Sequence, residues 1–351
     1  MIKFIVNCLV SIITVCILFL LAEGVTRLVM PDSVKLRLMH QPDEKLGYAL
    51  VPTYTMTHQT SEYSVSININ SEGLRDHDYS AKKDPLIYRI LVLGDSFTFG
   101  VGVNAGESYP KMLEAMLNKT SRGNAAKRYE VINAGVEGYG TEQEYLYLQK
   151  LQSRYKPDLV IVGLHSNDID DVMRGIPSAI MKQKIKRHFY FLSYLRGVHL
   201  LVTEAFTKKF ILENILAIYQ DHYSPEFERA LHRTEELLVD IRDFARSQGA
   251  KTLVVIIPSC LEIDRAEWDK KGFGRLYNDA FFTGNMGRFS DTFTEFGKPR
   301  QLPTLPLLPA LRNSSVRPIY FTRDPHWTRE GHRVAAESIF MYLTEKHLLR
   351  D

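Results

Sequence analysis

A three-layer α/β/α sandwich on a parallel sheet is the fold class this sequence predicts, and two observations predict it. Three short apolar runs rich in β-branched residues, at 88–93, 129–134 and 157–164, are separated by stretches with helical spacing. Each run then stops in a polar, loop-forming cluster: Gly94-Asp95-Ser96, then the glycine-rich GVEGYGT, then His165-Ser166-Asn167-Asp168. Strand–helix–strand alternation of this kind collects the three clusters on one edge of the sheet. Open α/β sheets keep their chemistry at that edge.

Taken in chain order, residues 4–22 (FIVNCLVSIITVCILFLLA) carry no charge and are long enough to cross about 30 Å of hydrocarbon. They are expected to be a membrane anchor within 1–27. A cleaved signal peptide is the alternative, but the apolar stretch exceeds the usual length and no small-x-small cleavage site follows it. Lys3 on one side and Arg27, Lys35 and Arg37 on the other leave the positive-inside comparison balanced. Two of the three cysteines, Cys8 and Cys16, lie inside this run, so Cys260 has no partner in the remainder and no disulfide framework is implied.

Residues 28–85 read as an extension with one or two edge strands, since 63–70 (YSVSININ) alternate with period two. NSEGLRD at 70–76 is a turn whose Arg75 is expected to make a surface or structural ion pair, with a ligand contact as the alternative. The remainder, 86–351, is the expected catalytic unit. Its first strand is followed by a helix over 109–119, a strand at 129–134, a helix over 142–155 and a third strand at 157–164, whose unbroken apolar run suits burial on both faces. Residues 174–223, basic and then aromatic, are expected to be an inserted helical pair over or beside the active edge, with a membrane-surface or anionic-substrate contact as the alternative. A serine-capped helix at 224–249 and a fourth strand at 251–258 follow. Residues 259–316 read as irregular, 318–322 as a fifth strand and 329–347 as a closing helix.

With 351 residues, 24% of them charged, and a net charge of +3, the chain is long enough for a large core and gives no reason to invoke nucleic acid. Neither GxGxxG nor GK[ST] accompanies the glycines at 94, 100 and 102, so no phosphate loop is implied. No metal is assigned to Asp168, Asp170 and Asp171, and no cofactor is expected; Asp95 and Asp168 are expected to satisfy loop N–H groups. The chemistry that the pattern does suggest is nucleophilic. Ser96 stands at a strand end beside a helix amino terminus, where free N–H groups favour developing negative charge. Near the other end of the chain, Asp324-Pro325-His326 supplies a general base with a carboxylate two residues before it. His332, inside the closing helix, is expected to be structural.

These residues together resemble the SGNH/GDSL hydrolase family. Ser96 in GDSFTFG matches its first block, Gly138 in NAGVEGYGT the second, Asn167 in HSND the third, and Asp324 with His326 in DPHWTREGH the last. NSEGLR and LAEGVTRL are similar to segments that precede this domain in membrane-anchored members. The resemblance implies the SGNH hydrolase fold, with a flavodoxin-like parallel sheet. It also implies a triad of Ser96, His326 and Asp324, and an oxyanion hole made by the N–H groups of Ser96 and Gly138 and the amide of Asn167. Two positions depart from the family pattern. Glycine is usual where this chain has His165, which is expected either to contact the substrate or to pack. A single residue separates Asp324 from His326 where two are commoner, as in members associated with polysaccharide acetylation. The expected activity is removal of a short acyl group, such as acetyl, from a carbohydrate or cell-envelope ester by a catalytic domain facing the periplasm or the outer surface. An O-acyltransferase with the same triad, or a non-catalytic glycan-binding or scaffold domain, are the alternatives.

Overall fold

The computed structural model describes residues 2–29, 32–120, 128–176, 180, 189–192, 194–195, 216–220, 222–263 and 286–349. Helix α1 (Ile2–Val29) is apolar on all sides, with a mean hydropathy of 2.9 over its most apolar window, and none of that window is buried in the protein. One such helix near an amino terminus suits a membrane anchor or a signal peptide alike. After the short helix α2 (Asp32–Leu38), two antiparallel hairpins stand outside the main sheet, four strands where one or two edge strands are expected. They are β1 (His40–Asp43) with β2 (Gly47–Leu50), and β3 (Thr55–Gln59) with β4 (Ser64–Asn68).

The main sheet contains β5 (Ile87–Gly94), β6 (Arg128–Gly135), β7 (Leu159–His165), β8 (Lys251–Ile257) and β9 (Thr304–Pro306), all parallel in the order β6-β5-β7-β8-β9. Helix α4 (Tyr109–Thr120) and the last helix α10 (Arg329–Glu345) pack together on one face; α5 (Thr141–Tyr155), α6 (Asn167–Arg174) and α7 (Pro225–Ser247) cover the other. The central strands are covered on both sides, and every residue from Leu159 to His165 is buried. The chain leaves β5 toward β6 on one side and returns to β7 on the other. The crevice beyond the carboxyl ends of β5 and β7 is therefore a topological switch point, where α/β sheets bind ligands.

Two expectations are corrected. The fifth strand is β9 at Thr304–Pro306, paired with Val254–Ile256, while 318–322 contributes only an isolated bridge between Tyr320 and Trp327. Residues 259–316 are not wholly irregular, for they also include α8 (Arg288–Gly297) and α9 (Leu308–Asn313). Prolines at 303 and 306 hide so short an edge strand, because proline withholds a ladder donor. Most of the expected helical insertion at 174–223 lies outside the described residues.

Among the described residues Arg75 makes no ion pair of the surface or structural kind expected. Its guanidinium is buried and donates to the carbonyls of Phe99 and Gly100 at 3.1 and 2.5 Å, of Val103 at 2.6 Å and of Ser66 at 3.1 Å. A planar five-donor fork suits that cluster of acceptors. It ties the extension to the loop that leaves the β5 edge.

Candidate active site

Three glycines lie side by side where this edge begins. Gly94 of β5 is in register with Gly135 of β6 and with Gly163 of β7. A Cβ at Gly94 or Gly135 would overlap Thr98 or the Phe99 amide, and one at Gly163 would come within 2.8 Å of Thr98 Oγ1. The bare row thus lets the single turn α3 (Ser96–Phe99) sit directly on the sheet, with Ser96 as its first residue. Asp95 caps that turn, its carboxylate accepting the Phe97 N–H at 2.8 Å.

The closing loop meets this turn from the far end of the chain. His326 Nε2 lies 2.7 Å from Ser96 Oγ, and His326 Nδ1 lies 2.5 Å from Asp324 Oδ1. The same Oδ1 accepts the His326 backbone N–H at 3.0 Å, so a single intervening residue suffices for the carboxylate to hold both the ring and its backbone. Burial works to raise the Asp324 carboxyl, but the hydrogen bond and charge of His326 outweigh it and hold the group at about 2. Burial likewise works to lower the His326 ring; the hydrogen bond and charge of Asp324, aided by Asp95 and Glu137, prevail and raise it above its ordinary value.

Gly138 and Asn167 complete the set at the ends of β6 and β7. Gly138 adopts a left-handed φ of +73°, and an added Cβ would lie 3.0 Å from Tyr48 Oη. That hydroxyl donates to the Glu137 carbonyl at 2.7 Å and fixes the turn. Asn167 Oδ1 faces His165 Nδ1, while its Nδ2 donates to Asp171 Oδ2 at 3.2 Å. The amide nitrogen carries two hydrogens, so a second one remains for a ligand. His165 is 7% exposed, tilted against the Phe97 ring at 4.7 Å, and burial lowers its basicity. With its Oδ1 facing His165 Nδ1, the Asn167 side chain directs its amide nitrogen away from that ring. The His165 ring reaches Asn167 and Phe97.

The family model for GDSL-like lipases and acylhydrolases matches residues 92–334, well over half of the chain. The chain belongs to the GDSL-like lipase/acylhydrolase family. Among proteins similar to this family member, an arylesterase of Vibrio mimicus is 29% identical over 100 residues, 28% of this chain and 46% of that protein. An uncharacterised protein of Mycoplasma pneumoniae is 36% identical over 143 residues, 38% of this chain and 15% of the other. The chain thus matches less than half the length of either relative. Among solved structures, TesA is 18% identical with a TM-score of 0.42, covering 74% of this chain and 99% of its own. The acetyl xylan esterase AlAXEase is 15% identical with a TM-score of 0.43, covering 73% and 99%.

Two features of this GDSL-family site are invisible in its motifs. The extension reaches into the acid–base loop: Tyr63 Oη donates to Asp324 Oδ2 at 3.0 Å, and the Glu62 carboxylate accepts the N–H groups of Thr322, Arg323 and Asp324 at 2.6, 2.9 and 3.0 Å. The second feature is a set of buried carboxyls. Asp168 accepts the His165 N–H at 2.8 Å, as Asp95 accepts that of Phe97, so both satisfy loop donors as expected. Glu144, 1% exposed, makes no side-chain hydrogen bond among the described residues. Burial, followed by the charges of neighbouring carboxylates, pushes Glu144 and Asp168 well above their usual range. Among the described residues no His, Cys, Asp and Glu side chains converge in threes to suit a metal ion.

A folded carboxyl of raised pKa keeps a proton that the unfolded chain releases, so stability falls as pH rises above the unfolded carboxyl value. Glu144→Gln, which cannot ionise, is therefore expected to be more stabilising, or less destabilising, at pH 8 than at pH 4. Thermal unfolding at the two pH values measures this; equal shifts at both would refute it.

His332 is structural in its surroundings. Its Nδ1 accepts the Tyr109 N–H at 3.2 Å, and its ring lies between Tyr109 and Trp327. Burial, followed by the repulsion of His326, lowers it to about 3, so it stays neutral.

Proposed function

We propose that the chain is a serine-dependent ester hydrolase working through an acyl-enzyme. The observation that carries this reading is the unbroken hydrogen-bonded line from Ser96 Oγ through His326 to Asp324. His326 Nε2 takes the hydroxyl proton as Ser96 Oγ attacks the ester carbonyl, and Asp324 stabilises the imidazolium and holds its tautomer. Negative charge on the carbonyl oxygen is met by the N–H groups of Ser96 and Gly138 and by the outward N–H of Asn167. The imidazolium then protonates the departing alkoxide, and a water activated by the same ring releases the acid.

The proposed substrate is a short-chain ester, such as an acetyl group, on a carbohydrate or cell-envelope molecule. The short Asp324–His326 spacing and the amino-terminal helix support it. The helix is proposed to remain as an anchor with the catalytic domain in the periplasm or outside the cell. Glu23 and Thr26, on one side of the end of α1, are 8% and 6% exposed, and the packing of that side against the rest of the chain supports retention.

The test is a fluorophosphonate probe followed by peptide mass spectrometry on the full chain in detergent. One adduct on Ser96, absent from Ser96→Ala, is expected; labelling that persists in Ser96→Ala would end the proposal. Asn167→Ala is expected to lower kcat on p-nitrophenyl acetate by about 10²–10³ with KM little changed, since the lost donor acts on charge that develops only in the transition state. A loss confined to KM would remove Asn167 from the oxyanion hole.

A further inference from the structure

The end of α1 is joined to a segment 167 residues downstream. The Glu23 carboxylate accepts the N–H groups of Tyr190 and Phe191 at 3.0 and 2.8 Å, capping the helical residues that follow Phe189. Arg27, one turn further on, donates to the same carboxylate at 2.8 Å and places its guanidinium 4.4 Å from the centre of the Tyr190 ring. One turn in the other direction, Phe19 meets the rings of Phe189 and Phe191 at 6.0 and 5.9 Å. A helix rises 1.5 Å per residue, so Phe19 lies about 6 Å from Glu23 and about 12 Å from Arg27 along α1. Phe189 and Phe191 thus pack against the apolar turn of α1 that holds Phe19.

Among the described residues, this segment is apolar and partly exposed. Phe189, Leu192, Tyr194 and Leu195 are 42%, 42%, 38% and 43% exposed, beside an α1 whose Leu20 and Leu21 are 68% and 62% exposed. An ion pair at one level, aromatic rings a turn below it and aliphatic side chains facing outward match the headgroup–acyl boundary of a bilayer. We propose that Phe189, Tyr190, Phe191, Leu192, Tyr194 and Leu195 form a second membrane contact, a short shoulder lying in the same bilayer face through which α1 leaves. This rests on the reading of α1 as a retained anchor. The bilayer is the occupant because the segment is already attached to α1 at a depth where lipid is the solvent. Two points of contact restrict the tilt of the catalytic unit, which a single helix would leave free to swivel.

The experiment uses the full chain in phosphatidylcholine–phosphatidylglycerol vesicles, with Cys8 and Cys16 changed to serine and a nitroxide placed singly at Leu192→Cys, Leu195→Cys, Ile13→Cys or Glu236→Cys. Collision of the label with oxygen, which concentrates in hydrocarbon, is compared with collision with a water-soluble nickel chelate. The expected oxygen-to-nickel ratio at 192 and 195 is several-fold above that at Glu236, an exposed site on α7. Ratios equal to that of Glu236, with Ile13 reading as hydrocarbon, overturn the shoulder and leave the anchor intact. Low accessibility to both reagents at 192 and 195 means that protein covers them, and also overturns it. An aqueous reading at Ile13 identifies failure of the anchor itself. Turnover of p-nitrophenyl acetate by each labelled protein verifies that it is folded.

Discussion

Ser96→Ala is expected to lower kcat/KM on p-nitrophenyl acetate by about 10⁴ or more, with His326→Ala falling to a similar level and the double variant no lower than either. Non-additivity is the decisive part. If His326 acts only by taking the Ser96 proton, its loss cannot matter further once the hydroxyl is gone. The 2.7 Å contact between Nε2 and Oγ is the geometry that this argument requires. Residual turnover above the solution rate would come from the oxyanion donors, which neither change removes. Single-variant losses that multiply in the double variant would show two independent functions. A Ser96→Ala enzyme as fast as the parent would leave the family fold with no serine chemistry in this chain.

Much of this arrangement is legible from the residues, because each strand end announces itself twice, as an apolar run and as the polar cluster that halts it. The β5, β6 and β7 ends at Ser96, Gly138 and Asn167 are of that kind. What stays hidden depends on distance along the chain or on brevity. The Tyr63–Asp324 bond spans 261 residues and follows no local pattern. β9 has three residues, too few for periodicity, and is set among prolines. Gly94, Gly135 and Gly163 can each be seen in the sequence, yet only the strand register shows that they form one row. His165 shows the opposite case. Its oddness in the motif is legible, but that its ring turns the Asn167 amide is a matter of rotamer and burial. The 174–223 composition suggests an ordinary helical pair ahead of a membrane-surface contact; the contacts of Phe189 and Phe191 with Phe19, which no local pattern shows, are what the proposed membrane contact rests on.

Asp324→Asn is expected to lower kcat/KM by about 10⁴, the size of effect that follows when an amide in place of the carboxylate favours the wrong imidazole tautomer. The pH dependence separates this from a folding defect. In the parent, activity requires neutral His326, and Asp324 outweighs burial to raise that ring above the ordinary 6.5, so kcat/KM rises with pH through a midpoint above 6.5. Removing the carboxylate leaves burial less opposed, and the midpoint moves down as the plateau falls. Tyr63→Phe acts on the other oxygen and moves the midpoint the other way. Without the Tyr63 donor the carboxylate becomes more basic, holds the imidazolium more firmly and shifts the midpoint up, while the less constrained loop lowers the plateau by about 10-fold, comparable to one hydrogen bond to a charged group. Glu137 lies near enough to interfere, because burial raises it to about 7 against the pull of His326 and Arg75. The profiles are therefore measured in a Glu137→Gln background as well. Opposite shifts that survive there assign both effects to the Tyr63–Asp324–His326 line. Shifts in the same direction would show that Tyr63 supports the loop without acting on its carboxylate.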